Sequence, residues 1–170
     1  MHQLHELLRR LAEAELEFVL IGGYAAVMHG SAYVTNDVDV CAVLSPENID
    51  KLRRALADLK PVHRQSHRSL SFLEVPAPGQ SLQNLYLETT DGIVDVITSV
   101  LGVGDFARLR ERAIRTDIFG VSCAVISLED LIAAKEALGR EKDLLTAKEL
   151  RAIAAKRRLA GDWAPREPIP

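Results

Sequence analysis

The stretch FVLIGGYAAVMHGSAYVTNDVDV, residues 18–40, decides how the chain is read. Phe18 to Ile21 is a short apolar run that stops at Gly22-Gly23, the pattern of a strand ended by a glycine turn. Tyr24 to His29 is small and apolar, so a helix is predicted to open at that turn and to be closed by Gly30. A second strand is predicted over Val38 to Leu44, with Asp37 and Asp39 at its entrance. On a strand, residues i and i+2 share a face. Both carboxylates then project one way, while Val38 and Val40 turn into the core. Two like charges side by side repel, and a strand end tolerates them where it meets water or a cation.

The glycines extend this reading. Without a Cβ, Gly22 and Gly23 let the backbone approach a ligand closely. A helix starting just after them offers unpaired N–H groups and a positive dipole end, a combination that binds phosphate. Ser31 and Thr35 add hydroxyls on the connecting loop. A third acid, Asp95, stands in Ile93-Val94-Asp95-Val96-Ile97. An unpaired carboxylate buried in such a strand would be costly. Placing that strand beside Asp37 and Asp39 removes the cost, because three carboxylates can hold one or two cations. Magnesium takes one or two carboxylates together with phosphate oxygens. Each piece also has an ordinary reading: a plain turn, a solvated strand edge, an Asp95 paired with an arginine. Their order along one chain is what those readings leave unexplained.

Outward from this stretch, Leu4, Leu7, Leu8 and Leu11 recur at helical spacing and predict an amphipathic helix over 2–14. Ser45 can cap a helix running to about Leu59, with Pro46 suited to its first position. Residues 62–81 carry the basic stretch VHRQSHRS and the loop VPAPGQS. Leu82 to Glu88 and Ile93 to Val100 read as a hairpin about Thr89-Thr90-Asp91-Gly92. Gly102 to Ala113 reads as a loop and short helix, and Phe119 to Ile126 as a strand. Ser127 resembles a capping residue for a helix from Leu128 to Leu138. After Gly139, a further helix runs to about Leu159.

The predicted fold class is therefore α/β (α+β), with a mixed β-sheet flanked by helices and a helical C-terminal part. The expected organisation is a core over 1–126, C-terminal helices packed on it over 127–160, and a frayed tail over 161–170.

The bulk numbers are those of a globular domain. The chain has 170 residues, 48% hydrophobic and 26% charged, with net charge −3. No global positive field advertises nucleic acid. Two basic clusters, His63 to Arg68 and Arg108, Arg110, Arg112 and Arg115, leave a local basic face open. Cys41 and Cys123 sit in apolar runs and read as buried thiols. No Cys/His spacing suggests zinc. The N-terminus has no signal-peptide core, and no apolar run approaches the ~20 residues of a membrane span. The expected compartment is cytoplasmic.

FVLIGGYAAVMHGSAYVTNDVDV followed by IVDVI resembles the nucleotidyltransferase fold of the DNA polymerase β type. That superfamily runs strand, Gly-Gly or Gly-Ser, then Asp-x-Asp or Asp-x-Glu, then a third acid on another strand. Gly-Gly-Tyr-Ala, His29-Gly30 and Thr35-x-Asp37 are most similar to small bacterial AbiEii-like nucleotidyltransferases, many of them toxin–antitoxin components. The resemblance covers residues 18–100. It implies that Asp37, Asp39 and Asp95 are catalytic and hold magnesium or manganese. It implies further that Gly22, Gly23, Ser31, Thr35, Lys135 and Lys142 bind the nucleotide, with Asp143 beside them and Arg140 assisting. The glycine motif is not the Gly-Ser with nearby arginine of the minimal nucleotidyltransferases that pair with HEPN proteins, so that partnership is not implied.

The implied activity is metal-dependent transfer of a nucleoside monophosphate from a triphosphate to a hydroxyl of RNA, protein or a small molecule. A cognate toxin or antitoxin partner belongs to the same resemblance, and a membrane does not. The alternative is a non-catalytic nucleotide-binding module or partner-docking antitoxin that retains the fold.

Overall fold

The structure is a computed structural model that describes residues 2–66 and 68–161. The element order is α1 (His2–Glu13), β1 (Val19–Leu20), α2 (Gly22–Met28), β2 (Asp37–Cys41), α3 (Pro46–Leu56), β3 (Val62–His63), β4 (Asn84–Thr89), β5 (Gly92–Ile97), β6 (Ser99–Val100), β7 (Gly104–Asp105), α4 (Phe106–Arg112), β8 (Ile114–Ile118), β9 (Val121–Val125), α5 (Leu128–Leu138) and α6 (Glu141–Leu159). The main sheet is ordered β3-β4-β5-β2-β1-β9-β8. It is mixed: β2 runs parallel to β5 and β1 parallel to β9, while β1 with β2, β4 with β5, and β8 with β9 are antiparallel.

The leucines at helical spacing do what their period demands. Leu7, Leu8 and Leu11 of α1 are fully buried, and α1 packs across β2, β5 and β9 and against α3. Burying a leucine side chain contributes about 1.5–3 kcal/mol, so this stripe alone anchors the helix. Val38 and Val40 of β2, with Val94 and Val96 of β5, are likewise fully buried. The predicted caps also form. Ser45 Oγ accepts from Asn48 N–H, and Ser127 Oγ accepts from Asp130 N–H. Gly139 ends α5 at φ +66°.

Several boundaries differ from the sequence expectation. β1 is only two residues long, and α2 takes both glycines into its first turn. β2 opens at Asp37 itself, so the Asp37–Asp39 pair stands at the strand's start as expected, but the strand ends at Cys41 instead of Leu44. The strand expected over 119–126 is the second half of a hairpin. Its first half, β8, was not anticipated, because Arg115 and Asp117 alternate with its inward residues and break the apolar signal. Phe119 sits in the turn at φ +53°. The run expected to continue as one strand to Val100 is split into β5 and the small β6–β7 hairpin. Cys41 and Cys123 are buried free thiols. Of the tail expected to fray, residues 162–170 lie outside the described residues.

Candidate active site

Strand register assembles the site. In the parallel pair β2–β5, Asp39 is the Cα partner of Asp95, and Tyr86 of β4 is the partner of Asp95 on its other side. Ile21 N–H donates to the Asp39 carbonyl at 2.9 Å, which brings the end of β1 to the same level. One row across four strands therefore reads Tyr86, Asp95, Asp39, Ile21. Residues in such a row share a face of the sheet. All four line a cleft of about 270 Å³, together with Gly22, Lys135 and Arg140. The rest of its wall is apolar, from Ile97, Val100 and Leu101 to Ile126, Leu131 and Leu138.

Gly22 makes the closest approach. It adopts φ +65°, and a Cβ there would lie 2.0 Å from Asp39 Oδ2. Only a residue without a side chain permits this packing. Gly23 is pressed in the same way against Thr35, whose Oγ1 would lie 2.7 Å from a Cβ. Thr35 in turn donates to Asp37 Oδ1 at 2.6 Å. Thr35 therefore orients an acid, and it does not line the cleft. Ser31 faces elsewhere: its Oγ donates to Glu149 of α6 at 2.6 Å. With only seven residues, α2 has a small dipole, and the cleft's positive charge comes from side chains.

Those side chains are Lys135 and Arg140. Both bind Asp143, Lys135 Nζ at 2.8 Å from Oδ1 and Arg140 Nε at 2.5 Å from Oδ2. Asp143 is almost completely buried. Burial pushes its carboxyl up, but the hydrogen bonds from Lys135 and Arg140 bring it below its ordinary value. Lys142 is exposed on α6 and does not line the cleft. The two-turn spacing from Lys135 fails because the helix breaks at Gly139, so the two lysines do not share a face.

The acids repel one another as expected. Burial, then the charges of Asp37 and Asp95, push the Asp39 carboxyl up to about 7, against Lys135 and the Gly23 N–H, which lower it. Burial likewise raises Asp95, opposed by Arg64. Asp95 Oδ1 is buried without a hydrogen-bond partner, while Oδ2 accepts from Arg64. The basic stretch 63–68 is thus divided. His63 bonds the Val75 carbonyl at 2.8 Å, Arg64 serves Asp95, and His67 lies outside the described residues. In the second basic cluster, Arg110 pairs with Glu17 and Arg112 with Asp130. Arg64 and Tyr86 were not among the expected site residues. Arg64 follows β3, which β4 separates from Asp95's strand, so no local pattern in the sequence links it to that carboxylate.

Among the described residues, no three His, Cys, Asp or Glu side chains are arranged to hold a metal by themselves. The arrangement fits a cation taken by carboxylates together with phosphate oxygens. Asp39 is raised by burial and by the charges of Asp37 and Asp95, Asp95 keeps an orphaned buried oxygen, and Gly22 leaves room at Asp39 Oδ2.

A model of the family described as "Nucleotidyl transferase of unknown function (DUF2204)" matches residues 1–162. No curated protein matches the chain by sequence. Among solved structures, a Thermotoga maritima protein assigned as a nucleotidyltransferase shares 18% identity, over 88% of this chain and 91% of that one, with TM-score 0.51. The antibiotic-resistance factor ANT(2'')-Ia shares 15% identity, over 95% and 94%, with TM-score 0.50. At such identities the likeness concerns the fold. The AbiEii-like affinity is neither supported nor opposed by these matches.

Proposed function

This chain belongs to the nucleotidyl transferase family of that description, and from that premise we propose that it moves a nucleoside monophosphate from a triphosphate to an acceptor hydroxyl in the cleft at Asp39. The observation that carries the reading is the row Asp95, Asp39, Ile21, with Gly22 against Asp39 and Lys135 facing the same cleft.

Asp37 and Asp39, with Asp95 beside them, would hold magnesium or manganese. When bound, such an ion would neutralise phosphate charge and stabilise the negative charge that develops during transfer. The remaining work falls to the chain. The Gly22 turn admits the triphosphate close to Asp39. Lys135 and Arg140, fixed by Asp143, meet its negative charge, and the apolar wall takes the nucleoside and excludes water. Asp95 Oδ1, buried and unpartnered, receives the proton of the acceptor hydroxyl. The hydroxyl oxygen bonds to the α-phosphorus, the bond from that phosphorus to the bridging oxygen breaks, and pyrophosphate leaves.

The acceptor classes are RNA, protein or a small molecule, and a toxin–antitoxin setting belongs to the same proposal. The test is incubation with magnesium and each α-³²P triphosphate, offering total RNA and protein as acceptors, beside Asp39→Asn. Label that appears with the wild type and vanishes with the variant supports transfer. Triphosphate bound without any labelled product would instead indicate a binding module.

A further inference from the structure

The acids lie on the adjacent interior strands β5 and β2, and the sheet order places different chemistry on either side of them. Toward β1 are the Gly22 turn and Lys135, whose charge reaches Asp39. Toward β4 and β3 a second cation is in place. Arg64 directly follows β3, and its N–H donates to the Tyr86 carbonyl at 3.0 Å. Its guanidinium lies 5.6 Å from the centroid of the Tyr86 ring and pairs with Asp95. A third of the Arg64 side chain remains exposed, against 12% for Asp95.

Attacking and leaving oxygens lie roughly in line across a transferred phosphorus. If Lys135 and the Gly22 turn mark the pyrophosphate side, the hydroxyl approaches from the other, where Asp95, Tyr86 and Arg64 are. Triphosphate charge does not account for a guanidinium there.

We propose that Arg64, held in place by Tyr86, is the anion seat of the acceptor, and that the acceptor carries a phosphate near its reacting hydroxyl. The proposal rests on the transfer reading above. Once Asp95 is engaged in the reaction, Arg64 exchanges that carboxylate for the acceptor phosphate. A planar guanidinium can meet either group through paired N–H donors. The phosphate could belong to the 3′ end of an RNA or to a sugar phosphate.

The test is equilibrium binding with magnesium and a non-hydrolysable triphosphate analogue present. The probes are a fluorescent ribotrinucleotide with a free 3′ hydroxyl, ribose 5-phosphate as competitor, and ribose as the unphosphorylated control. At least one phosphorylated probe should bind and ribose should not; which one binds identifies the source. Arg64→Gln should weaken that binding by about tenfold or more, and Arg64→Lys should weaken it less. The comparison is repeated in an Asp95→Asn background, where neutralising Asp95 no longer requires an arginine. Persistence of the Arg64→Gln effect there supports the proposal. Its disappearance, equal binding of ribose, or no binding of either phosphorylated probe overturns it. Analogue binding is read in the same samples: its presence with Arg64-insensitive acceptor binding removes only this proposal, and its absence from the wild type removes the transfer reading as well.

Discussion

Asp39 and Asp95 are Cα partners across the parallel strands β2 and β5, which sets two carboxylates side by side on one face of the sheet. Burial, then the charge of Asp37, then that of Asp95 raise Asp39 to about 7 from an ordinary value of 3.8. A carboxyl raised on folding stabilises the fold while it is protonated. That contribution is fully present below the unfolded value and is lost as pH rises through the folded one. Metal-free protein should therefore lose stability between pH 4 and pH 8, by on the order of 2–4 kcal/mol. Asp39→Asn should flatten that profile and stabilise the metal-free protein at pH 8. Magnesium should raise the Tm of the wild type and leave that of the variant unchanged. Urea unfolding across pH, with and without magnesium, measures both effects.

Gly22→Ala is the sharpest steric probe of the site. The new methyl would lie 2.0 Å from Asp39 Oδ2, on a backbone at φ +65°. We expect about 1–3 kcal/mol of destabilisation from the strained backbone and displaced carboxylate. Manganese affinity, followed by electron paramagnetic resonance, should fall with it. Gly120→Ala provides a matched control, since that glycine also has positive φ but nothing within 4 Å of its Cβ position. It should cost stability without changing manganese affinity.

Asp143 anchors the cationic wall. Asp143→Ala leaves Lys135, itself mostly buried, without its carboxylate partner. Removing one member of a buried pair costs about 3–5 kcal/mol. Because Asp143 is held below its ordinary value, this stability is present above the unfolded pKa and is lost as pH falls through the folded one. The gap between wild type and variant should therefore narrow in acid-unfolding curves as pH drops below about 4. Lys135→Met keeps the Arg140–Asp143 pair. It should weaken triphosphate binding more than it lowers Tm.

Glu149 ties α6 to the loop that leads into β2, accepting from Ser31 Oγ and from Ala32 N–H at 2.8 Å. In Glu149→Ala, hydrogen exchange at Ala32 should accelerate while amides of β2 stay protected. Unchanged exchange at Ala32 would show that the loop is held by its remaining contacts.

Much of this architecture was open to inspection in the sequence because its signals are local. The leucine period of α1, the caps at Ser45 and Ser127, and the Asp-Gly turn of the β4–β5 hairpin all depend on residues a few positions apart. What escaped was either masked or non-local. β8 alternates charged with apolar residues and forms only by pairing with β9. Lys142 seemed to share a face with Lys135 because spacing assumes an unbroken helix, and Gly139 breaks it.

The sequence by itself determined that three acids and a glycine turn occur on strands in a set order. Alternation along β2 also settled that Asp37 and Asp39 share a face while Val38 and Val40 are buried. Only the tertiary structure decided which acid meets which. Inter-strand register, not chain spacing, places Asp95 beside Asp39, and the packing of α6 sends Ser31 to Glu149. Register also brings Arg64, 31 residues from Asp95, onto that carboxylate. Sheet order is set by packing both faces of all the strands at once, and no local window of sequence contains that information.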